Sequence, residues 1–553
     1  MSRRAPRSLL ATAAVAVALA AADTYVVVLA LTDMMAGVGV GIDALQEATP
    51  IISGFLLGYI AMLPLIGRVA DLVDRQRVLL ACLGIFVAGS AVTALAVELP
   101  VLVAGRVIQG VGGGGLVPAT LALVADLWAA GRRGTPLGVV GAVQELGSVL
   151  GPVVGAAILA VSGWRTIFWV NAAAGVLLAV LVVVTGGRMP RRPRVLPSLL
   201  AVVAAAVLAL ALAAPESLTS GVTLGVPFVP FGSATSRLAT PIGVAGLLLV
   251  AGSLGVALRR LWPVLRRADL LGATLIAVSL GAVVLTFASS DPQSSVVGPW
   301  GLALLPVAAV AAAAYLVHHR RAVEPLVPRG VVRGRVPCAL VVSLLVGVAL
   351  VSVVVDVPLL ARLVIADSSQ TQAAFVLLRF LVAVPVGALA GGWSLRRVGD
   401  GVVSGAGLAL ATVGLVVMSS WGRGSLGHAS ATVVLALVGL GVGLALAPVN
   451  NAALADAPAS AHGSASALVV VARMVGMVVG LALLTAIGLH HYYAAVAALP
   501  DQGDTRALLD AAVVQVQWVF RGAAVSAGLG AMASLGLGLG HGDPGAPRFT
   551  APL

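Results

Sequence analysis

One feature constrains this chain above all others: stretches of about 20 residues with almost no charge recur along its 553 residues, separated by short loops that carry arginine. A helix needs roughly 20 mostly apolar residues to cross about 30 Å of hydrocarbon. Sixteen such stretches can be placed, six of them at about 9–33, 48–66, 77–97, 100–124, 136–160 and 165–186. Four more follow at about 196–214, 239–258, 269–288 and 299–317, and six close the chain at about 337–360, 371–391, 401–420, 431–452, 464–488 and 517–540. Only 10% of the residues are charged and 60% are hydrophobic, whereas a soluble domain is roughly 25% charged. That excludes a soluble fold and predicts an all-α membrane protein.

All 33 basic residues are arginine, and the net charge is +12. The arginines fall in short runs between apolar segments, with no basic face interleaved with aromatics, so they mark topology and not a nucleic-acid partner. With a cytoplasmic N-terminus, Arg75 and Arg77, Arg132 and Arg133, Arg188 to Arg194, Arg259 to Arg267, Arg320 to Arg335, and Arg396 and Arg397 all lie inside. The opposite loops, such as 35–47 and 289–298, hold few arginines. Both termini are therefore expected in the cytoplasm of a cell whose plasma membrane this chain spans many times. Arg3, Arg4 and Arg7 followed by an apolar run imitate a signal peptide, but the run continues past Asp23 to Leu31 and reads as a first membrane helix. Cys82 and Cys338 both lie within apolar runs, so neither a disulfide framework nor a zinc site is predicted. His490 and His491 are adjacent, not spaced to share a helical face, and no metal or cofactor is expected. Gly112 to Gly115 lies inside a span and lacks the Gly-Lys-Ser/Thr of a phosphate loop, which speaks against ATP and against an enzyme.

Ionisable side chains inside a span cost roughly 2.5–3.5 kcal/mol on insertion scales and are candidates for function. Asp23, Glu145 and Arg473 stand out. Glu145 and Arg473 each lie nine residues into their spans, roughly 13–14 Å deep and near mid-bilayer. Burial favours a protonated acid and a neighbouring guanidinium favours the ionised one. If Arg473 approaches Asp23 or Glu145 in one conformation only, the acid loads a proton in one state and releases it in the other; the alternative is a permanent ion cluster that fixes packing. Arg106, about six residues from the outer end of the fourth span, either belongs to the proton path or snorkels to the interface. Asp356, close to Pro358, has a capping, cavity-rim or coupling role open to it. In the fifth span Glu145, Ser148 and Pro152 share a face, while Gly147, Gly151 and Gly155 form a neighbouring stripe suited to close helix packing. In the eleventh core span Ser466, Arg473, Gly476 and Gly480 share a face.

An internal repeat is also visible. Gly67-Arg-Val-Ala-Asp-Leu-Val-Asp-Arg75 follows the second span, and Gly392-Trp-Ser-Leu-Arg-Arg-Val-Gly-Asp400 follows the second span of the closing six. The first string, with Gly67, Asp71 and Arg75, resembles the cytoplasmic loop motif of major facilitators. Leu102-Val-Ala-Gly-Arg106-Val-Ile-Gln109-Gly110 resembles their fourth-helix motif, and Gly147 to Gly155 the fifth-helix motif of the drug:proton antiporters. Asp23 to Val28, Thr120 to Trp128, Gln144 to Pro152 and Val471 to Met477 are similar to the mycobacterial triacylglyceride exporters within that family.

The resemblance implies two six-helix bundles, here residues 1–190 and 336–553, around a linker at 191–335 with about four hydrophobic segments. It also implies proton-coupled antiport of lipids or lipophilic drugs by a monomer, with a periplasmic lipid-carrier lipoprotein as partner. A charge latch at Asp71 and Arg75 would close the cytoplasmic side. A general multidrug exporter is the alternative reading, and a non-transporting scaffold a more distant one. Two departures stand out: Leu72 and Asp74 replace the usual arginine and glycine of the loop motif, and the linker has four segments where the family has two. Residues 505–517 are expected to continue the last helix outward, as a guide for lipid or a partner's docking point.

Overall fold

The computed structural model describes residues 5–40, 45–129, 132–186, 195–232, 234–288, 301–364, 370–500 and 504–538. Within these, the side chains of a few positions, Pro152 among them, are outside the description. So are the arginines at 188–194 and the loop 289–298. The first bundle consists of α1 (Ala5–Gly37), α2 (Leu45–Leu72), α3 (Arg75–Leu95), α4 (Leu99–Leu127), α5 (Gly134–Val161) and α6 (Trp164–Gly186). The insert holds α7 (Val195–Ala213), the short α8 (Glu216–Thr219) and α9 (Val222–Gly225), α10 (Pro241–Arg267), α11 (Leu270–Ala288) and α12 (Gly301–Arg321). The second bundle comprises α13 (Val336–Val364), α14 (Gln370–Ser394), α15 (Asp400–Met418), α16 (Ala429–Asp456), α17 (His462–Ala497) and α18 (Thr505–Ala533). Among the described residues, 13 helices are long and apolar enough to cross a membrane and two shorter apolar ones run Leu199–Ala213 and Leu270–Thr286. With α5 these are the sixteen segments that hydropathy predicts.

Small residues set how closely the helices pack. The glycine run of α4 is a seam with two faces. A Cβ on Gly110 or Gly114 would strike the backbone of α2 at Phe55 or Tyr59, and one on Gly112 would strike α3 at Phe86 and Cys82. The two bundles repeat one contact. Gly147 and Gly151 of α5 lie against the backbone of α1 at Ala18 and Ala22, and Gly476 and Gly480 of α17 lie against α13 at Leu344 and Val348. Helix ends follow local chemistry. Asp74, the residue in place of the family's glycine, is the N-cap of α3 and accepts from the Arg77 amide at 3.2 Å.

The insert divides into two pairs. α11 lies on α2, where Gly281 faces Leu57, and Ser279 of α11 donates to the Ala308 carbonyl of α12 at 3.0 Å. α7 and α10 pair through Gly246 and Leu208. They are tied to the first bundle by the Arg237 amide, which donates to Glu98 at 2.7 Å. α10 turns Leu247, Leu248, Leu254 and Leu258 outward, which costs nothing in a solvent as apolar as they are. At the arginine-rich end the turn into α11 is held by Asp269, in the left-handed region at φ 59°. Its carboxylate accepts from the Gly272 and Leu326 amides at 3.0 and 2.9 Å.

The α4 seam yields a stability prediction. Overpacking a filled interface costs roughly 1–3 kcal/mol. Gly110→Ala is therefore expected to lower the melting temperature and monodisperse yield of the purified protein. Gly84→Ala, where nothing stands within 4 Å of the new Cβ, leaves both unchanged. Equal melting of the two variants would refute the seam.

Candidate functional site

The two bundles meet at the arginine-rich end. Gly67 of α2 packs on the Gly463 carbonyl and Ala467 of α17, and Gly134 and Gly138 of α5 approach Gly392 and Ala388 of α14. Asp71 completes this closure, but not by pairing with Arg75. One oxygen of its carboxylate accepts from the Gly463 amide at 2.6 Å; the other accepts from the Ser464 amide at 3.0 Å and its hydroxyl at 2.6 Å. An acid of the first bundle thus caps the N-terminus of a helix in the second, where unpaired amides and the helix dipole favour negative charge. Arg75 forms an ion pair with Asp126 at the end of α4. The second bundle has its own hub at this end. Arg335, ahead of α13, binds Asp400 at 3.0 Å and Asp456 at 2.9 Å, and donates to the Leu537 carbonyl at 3.3 Å.

Beyond this closed end lies a cavity of about 200 Å³ between the bundles. Its walls are mostly apolar: Ile52, Phe55 and Leu56 from the first bundle, Leu350, Val354, Met477 and Leu481 from the second. Glu145 and Ser148 of α5 line it together, as their shared face requires, and Arg473 of α17 stands opposite. Glu145 and Arg473 are 3.6 Å apart across the bundle interface, and both are largely buried. Tyr59 and Gln144 line the same cavity. Tyr59 is not distinguished in the sequence, because one tyrosine in an apolar run fits an ordinary packing role as well, and Gln144 stands out there only as the first residue of a family-like string.

Asp23 is not part of this pair. It lies inside the first bundle and forms a 2.5 Å ion pair with Arg106, with both side chains almost wholly buried. Its other oxygen accepts from Asn171 of α6 at 2.6 Å. Arg106 also donates to Gln109 at 2.6 Å and to the Ile51 carbonyl at 3.3 Å, and Gln109 donates to Ser90 at 2.9 Å. The guanidinium lies 4.5 Å from the Phe55 ring centre and 5.7 Å from that of Phe168. Arg106 therefore points inward, away from the interface to which it could have snorkelled. The sequence-level convergence of two acids on one base becomes two separate pairs, because α4 brings a second base to Asp23. Asn171 and Ser90 escape sequence reading, being isolated polar residues in α6 and α3. Asp356 faces the interior of the second bundle on the stripe of Ser352, Val353 and Val357, away from the cavity rim.

Two acid–base pairs thus differ in kind. Asp23–Arg106 is short, sealed and further hydrogen-bonded to Gln109, Asn171 and the Ile51 carbonyl; Glu145–Arg473 is longer, joins the two bundles and borders open space. The first holds α1, α4 and α6 together, while the second joins α5 to α17.

The comparisons agree with this architecture. The human organic anion transporter MFSD10 (TETRAN) superposes with a TM-score of 0.57 over 96% of this chain and 99% of its own, at 14% identity. The proton:xylose symporter XylE bound to 6-bromo-6-deoxy-D-glucose gives 0.56 over 96% and 95%, also at 14% identity. Those likenesses concern the fold. In sequence the chain is 37% identical over 494 residues to the triacylglyceride transporter of Mycobacteroides abscessus, covering 86% of this chain and 81% of that protein. It is 38% identical over 505 residues to the triacylglyceride transporter of Mycolicibacterium smegmatis, covering 89% and 78%. The family model of the Major Facilitator Superfamily matches residues 13–322, and the chain belongs to that superfamily of membrane transporters.

Proposed function

We propose that this chain is a proton-coupled exporter of hydrophobic molecules, with lipids of the triacylglyceride type as the leading substrate. The observation that carries the reading is the Glu145–Arg473 pair in an otherwise apolar cavity between two bundles. The arginine-rich loops and both termini face the cytoplasm of a bacterial inner membrane, as the positive-inside rule requires. The halves at 1–190 and 336–553 rock against each other, and 191–335 is a membrane-embedded linker.

The cycle follows from the electrostatics. With Glu145 ionised, attraction to Arg473 holds α5 to α17 across the interface. A proton arriving from outside neutralises the acid and removes that attraction, so the bundles are free to part on the cytoplasmic side. Asp71 must then leave the N-terminus of α17, which exposes the cavity to substrate. Release of the proton inward restores the pair and drives closure with the substrate outside. Asp23 and Arg106 keep the first bundle rigid while this happens.

An apolar cavity with one charge pair suits a lipophile better than a sugar or an ion. At about 200 Å³ it is smaller than the roughly 300–1,000 Å³ of ordinary small-molecule sites. The closed state therefore holds at most part of an acyl chain, and a bulky lipid enters when the bundles separate. The 36 residues of α17 span about 54 Å, well beyond the bilayer. α18 begins at Thr505, so both helices project outward, consistent with a guide for lipid or a docking point for a lipid-carrier lipoprotein. The second reading, general efflux of lipophilic drugs, draws on the same cavity, since no residue in it is selective for an ester.

Two experiments bear on this. In vesicles with an imposed proton gradient, the protein is expected to move labelled triacylglycerol, and Glu145→Gln is expected to abolish gradient-driven movement while still folding in the membrane. Unaltered transport by Glu145→Gln would remove the coupling role, and movement of a cationic dye in place of the lipid would favour the drug reading. Asp71→Ala removes a cap for which roughly 0.5–2 kcal/mol is usual, so the population open at the arginine-rich end should rise roughly 2- to 30-fold. Distances between spin labels at positions 132 and 398, in a background without Cys82 and Cys338, would report it. An unchanged distribution would show that Asp71 does not hold the closed state.

A further inference from the structure

Arg521 breaks the pattern set by most arginines of this chain. It lies on α18, far from the arginine-rich loops: Gln517, one turn earlier, donates at 2.9 Å to the Trp421 carbonyl, just past the end of α15. Its side chain is exposed, and among the described residues no carboxylate pairs with it, whereas nearby Arg423 is paired with Asp510. The guanidinium lies 4.4 Å from the Trp518 ring centre, and that ring is itself stacked on His491 at 3.6 Å. A tryptophan at this depth is characteristic of the membrane interface, and here it holds the cation in place.

Below Arg521 an open groove of about 560 Å³ runs between α15 and α18. Val416, Val525, Leu529 and Met532 form its exposed apolar sides. Gly528 makes it deep, since a Cβ there would stand 3.6 Å from Thr412. From Arg521 to Met532 the helix rises about 16 Å, close to half of the roughly 30 Å hydrocarbon core. The groove is one leaflet long and has a fixed cation at its headgroup end.

We propose that this groove binds an anionic glycerophospholipid of the leaflet opposite the arginine-rich loops, with its phosphate on Arg521 and one acyl chain between α15 and α18. A cation facing lipid without a counter-charge is costly, and a phosphodiester at its own depth neutralises it by a charge-assisted hydrogen bond. A neutral acylglycerol would leave the guanidinium uncompensated, and free phosphate would leave the apolar walls unfilled. The site is separate from the central cavity and does not rest on the transport cycle proposed above.

Native mass spectrometry of the full chain, released from nanodiscs of equal phosphatidylglycerol and phosphatidylcholine, tests it without any transport assay. The wild-type chain is expected to retain phosphatidylglycerol roughly fivefold over phosphatidylcholine, the effect of one interfacial cation. Arg521→Gln and Gly528→Leu should each erase the preference, and Arg423→Gln should leave it intact. If Gly528→Leu does not fold, Val416→Trp blocks the groove from α15 and should act alike. A preference that survives Arg521→Gln, falls equally with Arg423→Gln, or is displaced by inorganic phosphate would overturn the proposal.

Discussion

A bilayer offers no partner to a charge or a bare backbone group, and the rest of this structure depends on that refusal. It forces the chain into helices, since each helix satisfies its own backbone, and makes an intramembrane charge costly unless it finds a partner. Arg106 shows the constraint met in full: its guanidinium is neutralised by Asp23, hydrogen-bonded to Gln109 and Ile51, and flanked by two phenylalanines. Breaking such a buried pair by removing one partner costs roughly 3–5 kcal/mol. A group bound that tightly is a fixture of the bundle.

Glu145 and Arg473 meet the same constraint only in part. Their separation is 3.6 Å, they belong to different bundles, and they border space. That incompleteness is what the proposed proton-coupling role of the pair rests on. At the closed end the Asp71 carboxylate accepts three hydrogen bonds from the other bundle. The electrostatics at both places act between the two bundles.

Much of this was legible beforehand. The sixteen segments follow from apolar run length, and the stripe of Gly147, Gly151 and Gly155 beside the Glu145 face follows from helical phase. The inner closure was legible only as a motif. Its residues are local in sequence, yet the partner of Asp71 lies almost 400 positions away, and no periodicity encodes a contact between helices that far apart. Asn171 and Ser90 were invisible for the same reason, since a single polar residue in an apolar run signals nothing until its neighbours are known. Arg106 was ambiguous, because a long side chain near a helix end can turn outward to water or inward to an acid.

By itself the sequence determined the solvent, the apolar segments and which few residues carry charge into them. These follow from run length and the cost of burying charge, both properties of the chain alone. Tertiary structure decided the pairings: Asp23 with Arg106, Glu145 with Arg473, Asp71 with the start of α17, Arg75 with Asp126. Pairing depends on which helices become neighbours, and glycine seams between α1 and α5, α2 and α4, and α13 and α17 select those neighbours by shape. Shape complementarity is a property of two surfaces together, and one strand of sequence contains only one of them at a time.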